Sequence, residues 1–328
     1  MQRRCVGHDY TERRMYMVTM VTEGRQPLLG TLVGNSETEA RVELSELGKA
    51  VEERWKYTSQ LYPEIELIAL QIMPDHLHGI LFVKEKMEKH LGIVIKGFKT
   101  GCNKAYRRIV LGVQPVQPVL SVATRLQQTK QTWLQQTKKG DRTHGLLFAR
   151  GYNDKLLLRA GQLEVWKNYL RDNPRRLFMK RQHPDLFRVQ FGLQFGSQTY
   201  SALGNRFLLS YPIRRQVQCS RKLTEEQIDT EIKTALTAAA QGAVHISPAI
   251  SPGEKAVMRA LLDAGYPLIF LEENGLTPYT KPGNRFFQAC ANGQLLIMAP
   301  WEHHNEQATI TRNKCLALNL LAKEIAKD

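Results

Sequence analysis

The 328-residue sequence is short of cysteine: Cys5, Cys102, Cys219, Cys290 and Cys315 are odd in number, widely scattered, and form no CxxC pair. That pattern excludes a zinc knuckle and a disulfide framework and points to a reducing compartment. No apolar run approaches the roughly 20 residues needed to cross a bilayer. The first eight residues, MQRRCVGH, lack the apolar core of a secretory signal. A cytoplasmic protein with no membrane partner is expected. Acid is also missing in one place, because no Asp or Glu occurs between Glu88 and Asp141. An ordinary solvated surface mixes charges of both signs.

What is present sharpens that last absence. The net charge is +15, and residues 101–200 carry 18 basic against 5 acidic side chains, an excess of 13. A surplus so concentrated, in a chain without membrane signals, implies a polyanion, and nucleic acid is the default one. At 328 residues the chain suits two domains.

The stretch Gln71–Val83 reads as a β-strand entered through Met73-Pro74-Asp75 and ended by Lys84-Glu85-Lys86. Strand side chains alternate, so His76, His78, Ile80 and Phe82 share one face and Leu77, Gly79, Leu81 and Val83 the other. Two imidazoles side by side on a rigid strand can grip one cation; the plain alternative is two half-buried histidines bonded to neighbours. Asp75 reads as a partner that orients a histidine, or as a turn residue.

Arg14–Thr22 reads as a first strand. Ser36 and Glu39 are spaced as a capping box, which predicts a helix running from there to Tyr62-Pro63. A helix is expected over about 88–111, with Lys96, Lys99, Lys104, Arg107 and Arg108 on its cationic side as candidate DNA contacts. Residues 114–144 are Gln/Thr-rich and read as an insertion. Asn153 or Asp154 is a candidate cap for a short helix. A second helix is expected over Gln162–Asp172, ended by Asn173-Pro174, with Tyr169 packing inward near Trp166.

Four features then stand in order: Met73-Pro74-Asp75-His76-Leu77-His78, the basic helix with Phe98-Lys99, Gly151-Tyr152-Asn153-Asp154, and Tyr169-Leu170-Arg171-Asp172-Asn173-Pro174. Together they resemble the single-tyrosine HUH transposases, especially the REP-associated tyrosine transposases, over about residues 10–185. The resemblance implies an α+β ferredoxin-like HUH domain, an antiparallel sheet with helices on one face, that cuts and rejoins single-stranded or hairpin DNA. By position it makes His76 and His78 ligands of Mg²⁺ or Mn²⁺ and Tyr152 the nucleophile. The chemistry suits these residue types, since a phenol can attack phosphorus and later leave again. Related transposases often carry an amide one helical turn after the tyrosine; here that position is Leu156, which leaves Asn153 and Asp154 as substitutes. A catalytically inactive DNA-binding protein of the same fold is the alternative.

Past residue 205 the pattern changes. Thr224 and Gln227 open a helix, and strands at 242–247, 267–272 and 295–300 alternate with helices at 255–264 and 311–326, as in a parallel α/β sheet. The expected division is an HUH domain over 1–190, a linker over 191–222 and a Rossmann-like domain over 223–328 that resembles the DprA type and binds a nucleotide or nucleic acid. Ser251-Pro252-Gly253-Glu254 reads as a helix cap or as a phosphate cradle. Lys281 and Arg285 read as surface charge or phosphate contacts, and Trp301, His303 and His304 as pocket residues. A monomer and a homodimer are both compatible with the sequence.

Overall fold

The computed structural model describes residues 7–113, 146–305 and 309–326. The chain divides into two compact units, Met1–Phe178 and Met179–Asp328. The stretch read as an insertion lies outside the described residues. No helix among the described residues is long and apolar enough to cross a membrane.

The first unit is built on β1 (Arg14–Val21), β4 (Ile65–Met73), β5 (His76–Val83) and β6 (Asn153–Leu156), paired antiparallel in the order β4-β5-β1-β6. A two-stranded hairpin, β2 (Gly30–Val33) and β3 (Arg41–Leu44), precedes α1 (Glu46–Leu61), and α2 (Leu91–Ile109) follows β5. This is a mixed α+β unit with a split βαβ arrangement. Strand β5 is buried along almost its whole length because both of its faces are covered. On one face Leu77, Leu81 and Val83 join Trp55 of α1 and Phe98 of α2 in the main core. Gly79 makes that packing possible: a Cβ there would lie 2.3 Å from the indole of Trp55, so only glycine lets the ring rest on the strand. Trp55 then meets Phe98 edge-on at 5.4 Å.

The opposite face is covered as well, which corrects the expectation of helices on one side only. Helix α3 (Gln162–Gln182) lays Trp166 and Leu170 on Met17 and Ile80. It also runs through Pro174 instead of ending there. An interior proline forfeits one helical hydrogen bond. Apolar anchoring before it and the Asp172–Arg175 pair at 2.6 Å across it keep the helix continuous.

Two local expectations also fail. Glu39 N–H does donate to Ser36 Oγ at 3.3 Å, as a capping box requires, but the bond closes the β2–β3 turn, where Gly34 has φ +120°. Helix α1 is capped instead by Ser45, which accepts from the Gly48 N–H at 3.0 Å. Asn153 and Asp154 begin a strand, not a helix.

In the second unit, β9 (Arg214–Gln216), β10 (Val244–Ser247), β11 (Leu268–Leu271) and β12 (Leu295–Ala299) run parallel. The span read as a linker supplies β9 and two further strands, β7 (Gln190–Phe195) and β8 (Gln198–Gly204), which extend the sheet antiparallel from β12. The short helix α4 (Pro184–Phe187) precedes them. Helices α5 (Glu225–Ala240), α6 (Pro252–Asp263) and α7 (Asn284–Ala291) pack on one face, and α8 (Arg312–Ile325) packs on the other. Alternating strand and helix leave β10, β11 and β12 buried on both sides, so these three read as short apolar runs, whereas the edge strand β9 has the sequence RRQ.

Candidate active site

His76 and His78 occupy the face of β5 that α3 covers. Their ring centroids are 4.9 Å apart at 82°. The strand is held at both ends of its entry turn, where Leu29 N–H donates to Pro74 O at 3.0 Å and Thr22 N–H to Asp75 O at 2.9 Å. Each imidazole is oriented by a neighbour. His76 Nδ1 lies 2.6 Å from Asp75 Oδ1, and His78 Nδ1 shares a 2.8 Å hydrogen bond with Thr19 Oγ1, its direct cross-strand partner on β1. With both Nδ1 atoms engaged, Nε2 is the nitrogen each ring would present to a cation. His76 keeps 20% of its side chain exposed while His78 is nearly closed off at 8%. The pair therefore has an opening to solvent.

Asp75 is fixed as a carboxylate. Burial raises its pKa, but the His76 hydrogen bond and charge, together with Arg25 at 3.1 Å, outweigh that and bring it to about 2. Arg25 sits in the left-handed region at φ 53°, a backbone position that L-residues seldom adopt.

Tyr152 is not brought to this site. Strand β6 pairs Asn153 with Thr19 and Asp154 with Val18, which puts Asn153 on the histidine face and both Tyr152 and Asp154 on the other. Tyr152 is buried at 6% exposure in the main core with Phe98 and Phe148. The tyrosine that does stand over the histidines is Tyr169, expected only to pack. Its ring centroid lies 5.7 Å from that of His78 at 66°, and the Arg176 guanidinium lies 5.8 Å from the Tyr169 ring. One helical turn on, on the same stripe of α3, comes Asn173. It is 9% exposed, and its Nδ2 donates to Tyr169 O at 3.0 Å, leaving Oδ1 as the atom the amide has to offer. A tyrosine and an amide four residues apart were both visible in the sequence. That spacing was the signal that could have found them.

Among the described residues no group of three or more His, Cys, Asp or Glu could hold a metal ion. A cation bound here would find two imidazoles and, as a third donor, only an amide oxygen: Asn173 lies one turn beyond Tyr169, and Asn153 lies two strands from β5 on the same face. Such a mixed nitrogen and oxygen set suits Mn²⁺ better than Mg²⁺, which prefers oxygen throughout.

The α2 cations are not at this site either, because α2 packs on the reverse face of the sheet. Lys96 and Lys104 are exposed and line a groove with Arg54 of α1. Lys99 is used structurally: its Nζ donates to Ala149 O at 2.7 Å and to Gly151 O, which ties the approach to β6 onto α2. Arg107 is half-buried and Arg108 exposed at the end of the helix.

In the second unit the Ser251–Glu254 stretch is a cap. Ser251 Oγ accepts from the Glu254 N–H at 3.1 Å, while Glu254 Oε2 accepts from the Ile250 and Ser251 N–H groups at 2.6 and 3.2 Å. Three of the N–H groups a phosphate would need are thus already taken, and a buried carboxylate stands among them. Arg285 is paired with Asp263 at 2.8 Å, and His304 with Glu273 at 3.2 Å.

No family model matches the chain. A Haemophilus influenzae protein of uncharacterized function is 25% identical over 81 residues, which are 25% of this chain and 42% of that protein; the chain thus matches under half the length of that relative. Among solved structures, a Helicobacter pylori DNA processing protein A, described for its single-stranded DNA binding mode, is 21% identical at a TM-score of 0.32, over 41% of this chain and 60% of that one. A REP-associated tyrosine transposase bound to a REP hairpin is 10% identical at a TM-score of 0.31, over 53% of this chain and 72% of that one.

Proposed function

We propose that the first unit is an HUH-type nuclease that cuts and rejoins single-stranded or hairpin DNA through a tyrosyl phosphate, with Tyr169 as nucleophile in place of Tyr152. One observation carries the reading: Tyr169 stands 5.7 Å from His78, on the face of the sheet that both histidines occupy, with Asn173 one turn beyond. Tyr152 lies on the other face, in the core.

In the reaction the Tyr169 phenol oxygen attacks phosphorus. The bond from phosphorus to the 3′ oxygen breaks, and that oxygen leaves with a proton as a 3′ hydroxyl. The 5′ phosphate stays on the tyrosine as an ester, so its bond energy is conserved for the reverse step with another 3′ hydroxyl. Divalent-ion chemistry at His76, His78 and an amide oxygen would supply polarisation of the scissile phosphate. Asp75 and Thr19 hold the two rings in the ligating tautomer. Arg176, beside the Tyr169 ring, and Lys155, on the same sheet face as Met17, supply positive charge where phosphate oxygens would lie.

The exposed Lys96, Lys104 and Arg108 of α2 serve as backbone contacts for DNA that extends past the site around the edge of the sheet. The second unit is read as a Rossmann-like nucleotide- or nucleic-acid-binding domain, and the whole as a cytoplasmic DNA-processing protein acting as a monomer or homodimer. A second reading, DNA binding without cleavage, is favoured by the lack of a third acidic or histidine ligand among the described residues.

The test uses the full chain, Mn²⁺ and 3′-labelled single-stranded oligonucleotides with and without hairpins. A label that co-migrates with the protein in denaturing gels, lost in Tyr169→Phe and kept in Tyr152→Phe, is the expected result. An adduct that persists in Tyr169→Phe would overturn the assignment.

A further inference from the structure

Helices α6 and α7 of the second unit flank an open groove of about 600 Å³ over β11, lined by none of Glu254, Glu273 or His304. Its floor is apolar and aromatic, formed by Met258, Leu262, Leu268, Phe270 and Phe286. Phe270 and Phe286 meet edge to face at 5.4 Å and 61°, and both are partly exposed in the groove. Its rim is cationic. Arg285 closes one side through Asp263, at 2.8 and 2.9 Å to the two carboxylate oxygens. Lys255 and Arg259 stand one turn apart on α6, both exposed and both without an acidic partner among the described residues. Ala249 lines the same groove with φ +48°, held there by its N–H donating to Ser247 Oγ at 3.0 Å. A strained non-glycine residue is a feature that functional sites retain.

A groove of this volume falls in the range that takes a small ligand. It is too small for a stable protein partner, which needs roughly 800 Å² from each side. An aromatic floor with two neighbouring free cations calls for a ligand that joins a planar ring to an anion. We propose that the α6–α7 groove is a nucleotide site, with a base over Phe270 and Phe286 and a phosphate between Lys255 and Arg259. The nucleotide is either a free nucleoside phosphate or one unit of a single strand, and the chemistry is shared. The inference rests on the reading of the second unit as a nucleotide- or nucleic-acid-binding domain and not on the nuclease reading of the first unit.

The full chain is titrated by calorimetry with AMP in one arm and the trinucleotide (dT)₃ in the other. The same titrations are run on Arg259→Glu, Lys255→Glu and Arg259→Lys. At least a tenfold loss of affinity is expected in both charge reversals, with Arg259→Lys retaining most of the binding. Loss in the AMP arm identifies a free nucleotide as a ligand, and loss in the trinucleotide arm alone identifies a strand. Both rim positions are exposed, so thermal melts of the variants should match the parent, and DNA adduct formation by the first unit should be unchanged. Binding in neither arm overturns the proposal. So does binding that both reversals leave untouched.

Discussion

Replacing Thr19 with valine isolates what orients the inner histidine. Valine keeps the shape of threonine and its β-strand preference but removes the hydroxyl that lies 2.8 Å from His78 Nδ1. His78 is only 8% exposed, so water replaces that partner poorly. Losing one neutral hydrogen bond at a closed site costs about 1–2 kcal/mol of stability. The larger effect is on the cation. Removing the group that fixes a ligating imidazole lowers metal affinity about 10–100-fold, or roughly 1.4–2.7 kcal/mol. Titrating free Mn²⁺ by electron paramagnetic resonance against the parent, Thr19→Val and His78→Ala measures both steps, and urea denaturation without metal gives the stability term. The expected order of affinity is parent, then Thr19→Val, then His78→Ala with binding lost. Equal Mn²⁺ binding by all three proteins would refute the metal site. A normal Thr19→Val beside a dead His78→Ala would refute the orienting role alone.

Other regions make separate predictions. Gly79→Ala places a methyl 2.3 Å from the Trp55 indole and should cost about 1–3 kcal/mol in urea denaturation, whereas Gly97→Ala, whose Cβ would meet only the Tyr62 hydroxyl at 3.8 Å, should cost far less. Lys104→Glu on the exposed side of α2 should weaken DNA binding across sequences and reduce the slope of log affinity against log salt by about 1, while adduct yield at saturating DNA stays normal. His245, 3% exposed on β10, has its pKa lowered from 6.5 to about 4, first by burial and then by the Arg215 charge. The unfolded chain therefore takes up a proton that the folded chain refuses between those values. The contribution of His245 to the stability of the second unit is fully present above pH 6.5 and falls by up to about 3 kcal/mol as pH drops to 4. His245→Phe should flatten that part of a pH-dependent denaturation profile.

The sequence disclosed elements whose pattern and environment agree. Strand β5 was legible because its period of two and its apolar run both follow from burial on two faces. Strands β10 to β12 and their helices were legible because a parallel sheet demands that alternation. Elements set by their neighbours were not. Strand β6 has the sequence NDKL, poor in strand formers, and exists because the edge of β1 is there to pair with it. Its parity decides which way Tyr152 points, and no periodicity in the sequence announces that parity. Helix α3 continues past Asn173-Pro174 because packing overrides the local stop signal. The Ser36–Glu39 pair makes the hydrogen bond expected of it, but in a hairpin turn, since the same bond serves either structure. The candidate site was thus half readable. The histidines follow from their strand, whereas Tyr152 left the site because of the face an edge strand chose and Tyr169 entered it because α3 packs across the histidine face.

The most direct measurement is peptide mapping of the covalent adduct. The protein is reacted with a single strand and Mn²⁺, trimmed with nuclease and digested with trypsin, and the peptides are sequenced by mass spectrometry. Tyr169 should carry the nucleotide in the short peptide Asn168–Arg171, with Tyr152 unmodified in Gly151–Lys155. A nucleotide found on Gly151–Lys155 instead would contradict the assignment.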